Sequence, residues 1–115
     1  MIYNIIPVPA PRMTRSDKWK GRHCVLRYFN FCDEVKLNNI TLPESGAHII
    51  FTIPMPKSWS NKEKLTINGN PHKSKPDIDN LLKALLDAIF QEDKHIYNIR
   101  ATKIWGYEGS IETQI

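Results

Sequence analysis

The sequence predicts an α+β domain: a mixed β-sheet with helices packed on it, in the order β-α-β, a loop holding a short helix, then α-β-β. Three observations carry this prediction. The stretch from about Ile78 to Phe90 places Ile78, Leu82, Leu85 and Ile89 at helical spacing, with Leu81 and Leu86 alongside. From His23 to Leu37, Val25, Phe29, Cys32 and Val35 recur at the same period, with Leu26 beside them. Between and around these lie four β-prone runs, "MIYNIIPV", "HIIFTIPM", "IYNIRATKIW" and "SIETQI". A chain of 115 residues has the length of one domain, here 1–115.

Each element has a local reason. Pro7 and Pro9 make the first strand stop early or lie at an edge. "PVPAPRMTR" follows as an extended loop, because prolines restrict both themselves and the residues before them. "HIIFTIPM" directs Ile49, Phe51 and Ile53 to one face and is ended by Pro54 and Pro56. The connection from 54 to 76 is long for a small domain, which marks either a functional loop or a mobile one. Within it, Ser60 and Glu63 match the S-x-x-E capping box of a short helix, and "INGNPH" reads as a turn. The last two runs read as a terminal hairpin turned through "GYEG".

Composition narrows the function classes. Apolar residues make up 41% and charged residues 24%, an ordinary folded balance. No apolar run approaches the ~18 residues of a membrane span. The amino terminus carries its charge after its apolar run, opposite to a secretory signal, so Cys24 and Cys32 are expected as reduced core thiols in the cytoplasm. The four histidines, His23, His48, His72 and His95, are expected in loops or on the surface. Of the +4 net charge, much falls in two stretches. One holds Arg12, Arg15, Lys18, Lys20, Arg22 and Arg27; the other holds Lys57, Lys62, Lys64, Lys73 and Lys75. Such clusters suit nucleic-acid phosphates, and equally an ordinary solvated surface.

The chemistry concentrates in "KSKPDIDNLLKALLDAIFQED". Asp77 stands where an N-cap accepts from a free first-turn amide, and Asp79 lies inside that turn, where the helix dipole favours an anion. Capping explains either aspartate singly. Two carboxylates projecting from one rigid helix start also suit a magnesium ion, which takes one or two protein carboxylates plus water and phosphate oxygens. Glu92 and Asp93, after the same helix, are candidates for a third acid. Lys83 lies one turn from both Asp79 and Asp87, a spacing that serves an exposed ion-pair ladder or a lysine beside a metal site. No EF-hand, glycine-rich phosphate loop, H-E-x-x-H or paired C-x-x-C is present.

"KPDIDNLLKALLDAIFQEDKHI", with "PVPAPRMTR", "FTIPMPKSWSNKEK" and "NGNPHKSKPD" upstream, closely resembles the RusA-type Holliday junction resolvases. The resemblance implies a homodimeric, magnesium-dependent endonuclease, with manganese as the alternative cation, that cuts branched DNA and chiefly four-way junctions. It implies action in the cytoplasm of a bacterial or phage-infected cell. By match to the family motif, Asp77, Asp79 and Asp93 would be metal-binding carboxylates and Lys83 the catalytic or phosphate-contacting lysine. Arg12, Arg15, Lys73 and Lys75 would contact DNA. In one respect the sequence departs from the pattern: its turn before the acidic pair is shorter, so Asp93 must reach back over few residues. That departure raises the alternative of a branched-DNA-binding protein with weak or absent catalysis.

Overall fold

The computed structural model describes residues 1–11 and 23–115. These form a four-stranded mixed sheet and three helices. The elements are β1 (Ile2–Tyr3), α1 (His23–Leu37), β2 (Ser45–Pro54), α2 (Asn61–Ile67), α3 (Ile78–Ile89), β3 (Asn98–Gly106) and β4 (Ser110–Gln114). The predicted class and order hold.

The strand order is β1-β4-β2-β3. Strand β2 is central and alternates as a strand with one covered face must: Ala47, Ile49 and Phe51 are buried, and the residues between them are half-buried. Ile111 of β4 joins them, and Ile99 and Ala101 of β3 pack against the same core. Helices α1 and α3 lie against each other over this face, contributing Tyr28, Phe31 and Val35 from one, and Leu81, Ala84, Leu85 and Ala88 from the other. The opposite face is half open, and there His48 Nε2 meets Thr102 Oγ1 at 2.8 Å.

The seam on α1 differs from the expected one. Val25, Tyr28, Phe31 and Val35 are buried, whereas Leu26 and Phe29 remain 50% and 49% exposed. Each is the chain neighbour of a buried residue, and one helical step turns a side chain by about 100°, off the seam. Cys32 is half-buried beside Tyr28, and burial pushes its thiol pKa up, which suits an unreactive thiol. Cys24 is exposed, contrary to the expected core position.

The terminal hairpin does not form. Strand β3 pairs with β2 in parallel, Ile49 opposite Ala101 and Thr52 opposite Ile104. Strand β4 pairs with the other side of β2, antiparallel, Phe51 opposite Ile111. The chain therefore steps over the end of β2 between Gly106 and Ser110, helped by a hydrogen bond from Met55 N to Gly106 O at 2.9 Å. Two glycines make the step fit. A Cβ on Gly106 would collide with Thr52 Cγ2, and one on Gly109 would lie 2.9 Å from the Ile6 Cα. Gly109→Ala is expected to destabilise the fold by about 1–3 kcal/mol, since the backbone beside it must move. Urea unfolding measures this, and a loss under ~0.5 kcal/mol, the usual surface value, would show the packing to be looser than described.

Strand β1 lies at the sheet edge and is only two residues long, as its prolines predict. It is tied to β4 by reciprocal bonds, Thr113 N to Met1 O and the Met1 ammonium to Thr113 O, both 2.8 Å. The other edge, β3, is covered by the turn after α2. Gly69 N and Trp105 N bond to Trp105 O and Asn70 O at 2.9 Å, and His72 N to Lys103 O at 3.0 Å. Covering the edge in this way leaves fewer unpaired backbone groups for a foreign strand.

Candidate metal and nucleic-acid site

Helix α3 begins where the local chemistry places it. Asp77 holds the N-cap position with an extended backbone, and its carbonyl accepts from Leu81 N at 3.1 Å. Its side chain, however, makes no capping hydrogen bond. The expected carboxylate cap is thus absent, and the Asp77 oxygens are left for other partners. Asp79 is exposed in the first turn. Asp77 lines a cleft of about 470 Å³ with Pro9, Ala10, Lys75, Pro76 and Asn80. Ala10 N approaches Asn80 O at 3.4 Å, bringing the amino-terminal segment to the helix mouth.

This mouth is reached along the β3 edge of the sheet, at the level of Lys103, which lies opposite Phe51 of β2. The strap leading into it, Lys73 to Pro76, contains a cis Lys75–Pro76 peptide. It is fastened to β3 by a residue that the sequence pattern had not singled out. Lys103 Nζ donates to Ser74 O and to Pro76 O, each at 2.7 Å. No periodicity or spacing signal marks this lysine; only the fold brings it to the strap. Lys73 and Lys75 are exposed on the strap. Arg12 and Arg15 lie outside the described residues.

Lys83 pairs with Asp87 at 3.0 Å, an exposed i,i+4 bridge one turn beyond Asp79. The side chains are 64% and 39% exposed, so the pair holds the lysine with only a few tenths of a kcal/mol. Lys83 can therefore leave Asp87 for a phosphate at little cost.

Asp93 is placed elsewhere. Helix α3 ends at Ile89, Phe90 is extended, and the chain turns with Ile96 N bonded to Asp93 O at 3.0 Å. Phe90 and His95 stack edge to face, 4.9 Å between centroids, across this turn. Tyr97 N then bonds to Glu44 O at 3.1 Å, and β3 starts opposite Ser45. Asp93 therefore sits by the start of β3, while the strap of Asp77 sits on Lys103, about 16 Å further along the strand at ~3.3 Å per residue. The length of α3 itself separates Asp79 from Ile89 by about 15 Å. The short turn spends its residues reversing direction toward β3 and does not return along the helix. Glu92 pairs with Lys94 at 3.1 Å on the surface. Among the described residues, no three His, Cys, Asp or Glu side chains gather as a metal-binding group.

Asp77, with no capping bond to make and beside the cleft, and the exposed Asp79 in the first turn of the helix offer the kind of donor a magnesium ion takes. Such an ion uses one or two protein carboxylates and keeps waters and phosphate oxygens for the rest. The donor set is all oxygen, as hard cations require.

An aromatic cluster adjoins the strap. Trp105 of β3 packs against His72, with centroids 4.1 Å apart, and against Trp59, 4.9 Å apart. Trp59 and Trp105 are half-buried and fasten the long loop to the sheet edge. His72 lies in the loop, one of the two expected settings, yet is only 4% exposed, and its Nδ1 has no hydrogen-bond partner among the described residues. Burial, followed by the Lys103 charge, pushes its pKa below the ordinary 6.5. The unfolded chain then binds the proton more readily than the folded one. The stability contributed by neutral His72 is present above its unfolded pKa and is lost as pH falls from there through the lower folded pKa. His72→Phe keeps a ring against Trp105 and removes the proton site. Thermal melts between about pH 7 and pH 5 should show a shallower decline for this variant than for the parent chain. Equal slopes would place the acid sensitivity in other groups.

Comparison with known proteins gives two matches. The family model described as Endodeoxyribonuclease RusA matches residues 33–115. "Uncharacterized protein YqaN" of Bacillus subtilis (strain 168) is 34% identical over 70 residues, covering 54% of this chain and 49% of that protein. The chain thus spans about half the length of that curated relative. No solved structure matches.

Proposed function

We propose, since the chain belongs to the RusA endodeoxyribonuclease family, that it is a magnesium-dependent, structure-selective endodeoxyribonuclease that resolves four-way DNA junctions by phosphodiester hydrolysis. The observation that carries this reading is the mouth of α3, where Asp77 makes no capping bond and stands beside a cleft, flanked by an exposed lysine strap. A bound divalent cation would supply an activated water and charge neutralisation at the scissile phosphate. Asp77 and Asp79 would hold that cation. Lys83, released from Asp87, would meet the negative charge that develops on the phosphate oxygens. Lys73 and Lys75 would bind flanking phosphates, with Arg12 and Arg15 proposed for the same role, and binding should weaken steeply with salt.

With Asp93 at the other end of α3, a second chain would be a route by which an Asp93 joins Asp77 and Asp79. A homodimer offers that opportunity and also supplies the two sites that paired cuts need. The separation of Asp93 equally favours a second reading, a branched-DNA-binding protein with weak or no catalysis. A synthetic four-way junction titrated with magnesium, then treated with EDTA, separates the two. Cutting that needs magnesium and stops in EDTA supports the nuclease. Salt-sensitive binding with no cutting in magnesium or manganese supports the binding protein. Cutting that persists in EDTA would overturn the metal mechanism.

A further inference from the structure

We infer that Lys103 is a positioning residue for the metal site, clamping the strap that presents Asp77; this rests on the nuclease reading above. The clamp is a pair of charge-assisted hydrogen bonds, Nζ to Ser74 O and to Pro76 O, both 2.7 Å. Pro76 O belongs to the peptide that leads directly into Asp77. The helix start holds Asp77 through its carbonyl, which accepts from Leu81 N, but makes no bond to its side chain. The approach of the chain into Asp77 is therefore set from the other side, by the strap, and Lys103 holds the strap.

The anchor is rigid. Lys103 lies opposite Phe51 of central β2 on one side, and on the other its carbonyl accepts from His72 N at 3.0 Å. A site held on a strand is more accurately placed than one carried by a loop. The residue type is informative as well. A half-buried ammonium is costly unless its protons are satisfied, and an apolar side chain would serve mere packing at this edge. Among the described residues no carboxylate pairs with Lys103, and its ammonium donates to the two strap carbonyls. Its charge is thus committed to the strap rather than to a structural ion pair.

Lys103→Met removes both bonds and Lys103→Arg keeps a donor fork and the charge. A displaced first ligand costs catalysis by geometry, since a shift on the order of 1 Å can cost ~10²-fold. For Lys103→Met, kcat on the junction should fall by roughly 10–100-fold, and the magnesium midpoint of thermal stabilisation should rise by about tenfold, as for loss of a supporting residue around a metal. KM for the junction should rise by only a few-fold, less than kcat falls, because Lys73 and Lys75 keep their charge although the loosened strap carries them. Trypsin cleavage after Lys73, without metal, should accelerate as the strap loosens. Lys103→Arg should recover much of both kcat and the midpoint. If Lys103→Met does not fold, Lys103→Gln is measured in its place and the same midpoint decides.

An unchanged magnesium midpoint with unchanged kcat in the Met or Gln variant overturns the inference. So does a lower Tm with an unchanged midpoint, which is what a purely structural lysine gives. The parent chain and Asp79→Asn serve as references. A parent chain that neither cuts nor gains stability with magnesium defeats the nuclease reading and this inference together. A responsive parent, a silent Asp79→Asn and a Lys103→Met that behaves like the parent defeat the inference alone.

Discussion

Asp79→Asn is expected to bind a four-way junction and fail to cut it. Asparagine nearly matches aspartate in shape but replaces an anionic oxygen with a neutral amide, a poor ligand for magnesium. Loss of a supporting group around a metal typically costs 10–100-fold, so loss of a direct ligand should cost on the order of 10²-fold or more in cutting rate. The fold should hardly notice. Asp79 is exposed, and its favourable position in the first turn of α3 is worth about 0.3–1 kcal/mol. Junction affinity without metal should be equal or slightly tighter, because a negative charge facing phosphates has been removed. Gel-shift, single-turnover cleavage and a thermal melt on one preparation measure all three. A variant that cuts within severalfold of the parent rate would remove Asp79 from the metal site. A variant that folds but loses binding would assign it to DNA contact instead.

The second large effect belongs to the core. Phe51→Ala is expected to cost about 3–5 kcal/mol, the usual range for emptying a fully buried aromatic position. Phe51 is 0% exposed on the central strand, between Lys103 of β3 and Ile111 of β4, and it lies in the cluster beneath α1 and α3. For a domain of this size the loss should appear as a Tm drop on the order of 10–20 °C. A drop equivalent to less than ~1 kcal/mol would mean that the core relaxes around the cavity or is not packed as described. The two variants bracket the protein: one keeps the fold and loses the chemistry, while the other loses both in proportion to unfolding. Magnesium can return only the linkage energy of its own binding to the folded chain, so it cannot rescue Phe51→Ala fully.

The legible features were those with short-range causes. Ser60 caps α2 as its pattern predicts, its hydroxyl accepting from Glu63 N at 3.2 Å. The leucine stripe of α3 and the alternation in β2 are periodic signals that a window of a dozen residues contains. Asp77 and Asp79 at the helix mouth follow from Pro76 and that stripe. Illegible features depended on partners distant in the chain. Local turn chemistry in "GYEG" favoured a hairpin, yet β2 takes a partner on each side and separates β3 from β4. The same holds for His72, buried only because Trp105 arrives from more than thirty positions later in a ~115-residue chain.

By itself, then, the sequence determined the elements, their order and the acid-rich start of α3, because helix periodicity, capping and proline stops are settled within a few residues. The tertiary structure decided which carboxylates meet. Whether Asp93 approaches Asp77 depends on the path of β3, and that path is set by hydrogen bonding to β2, whose paired residues lie more than fifty positions upstream. The same pairing brings Lys103 under the Asp77 strap. Strand partners are chosen by matching whole faces and edges across the sheet, and no local window contains that choice.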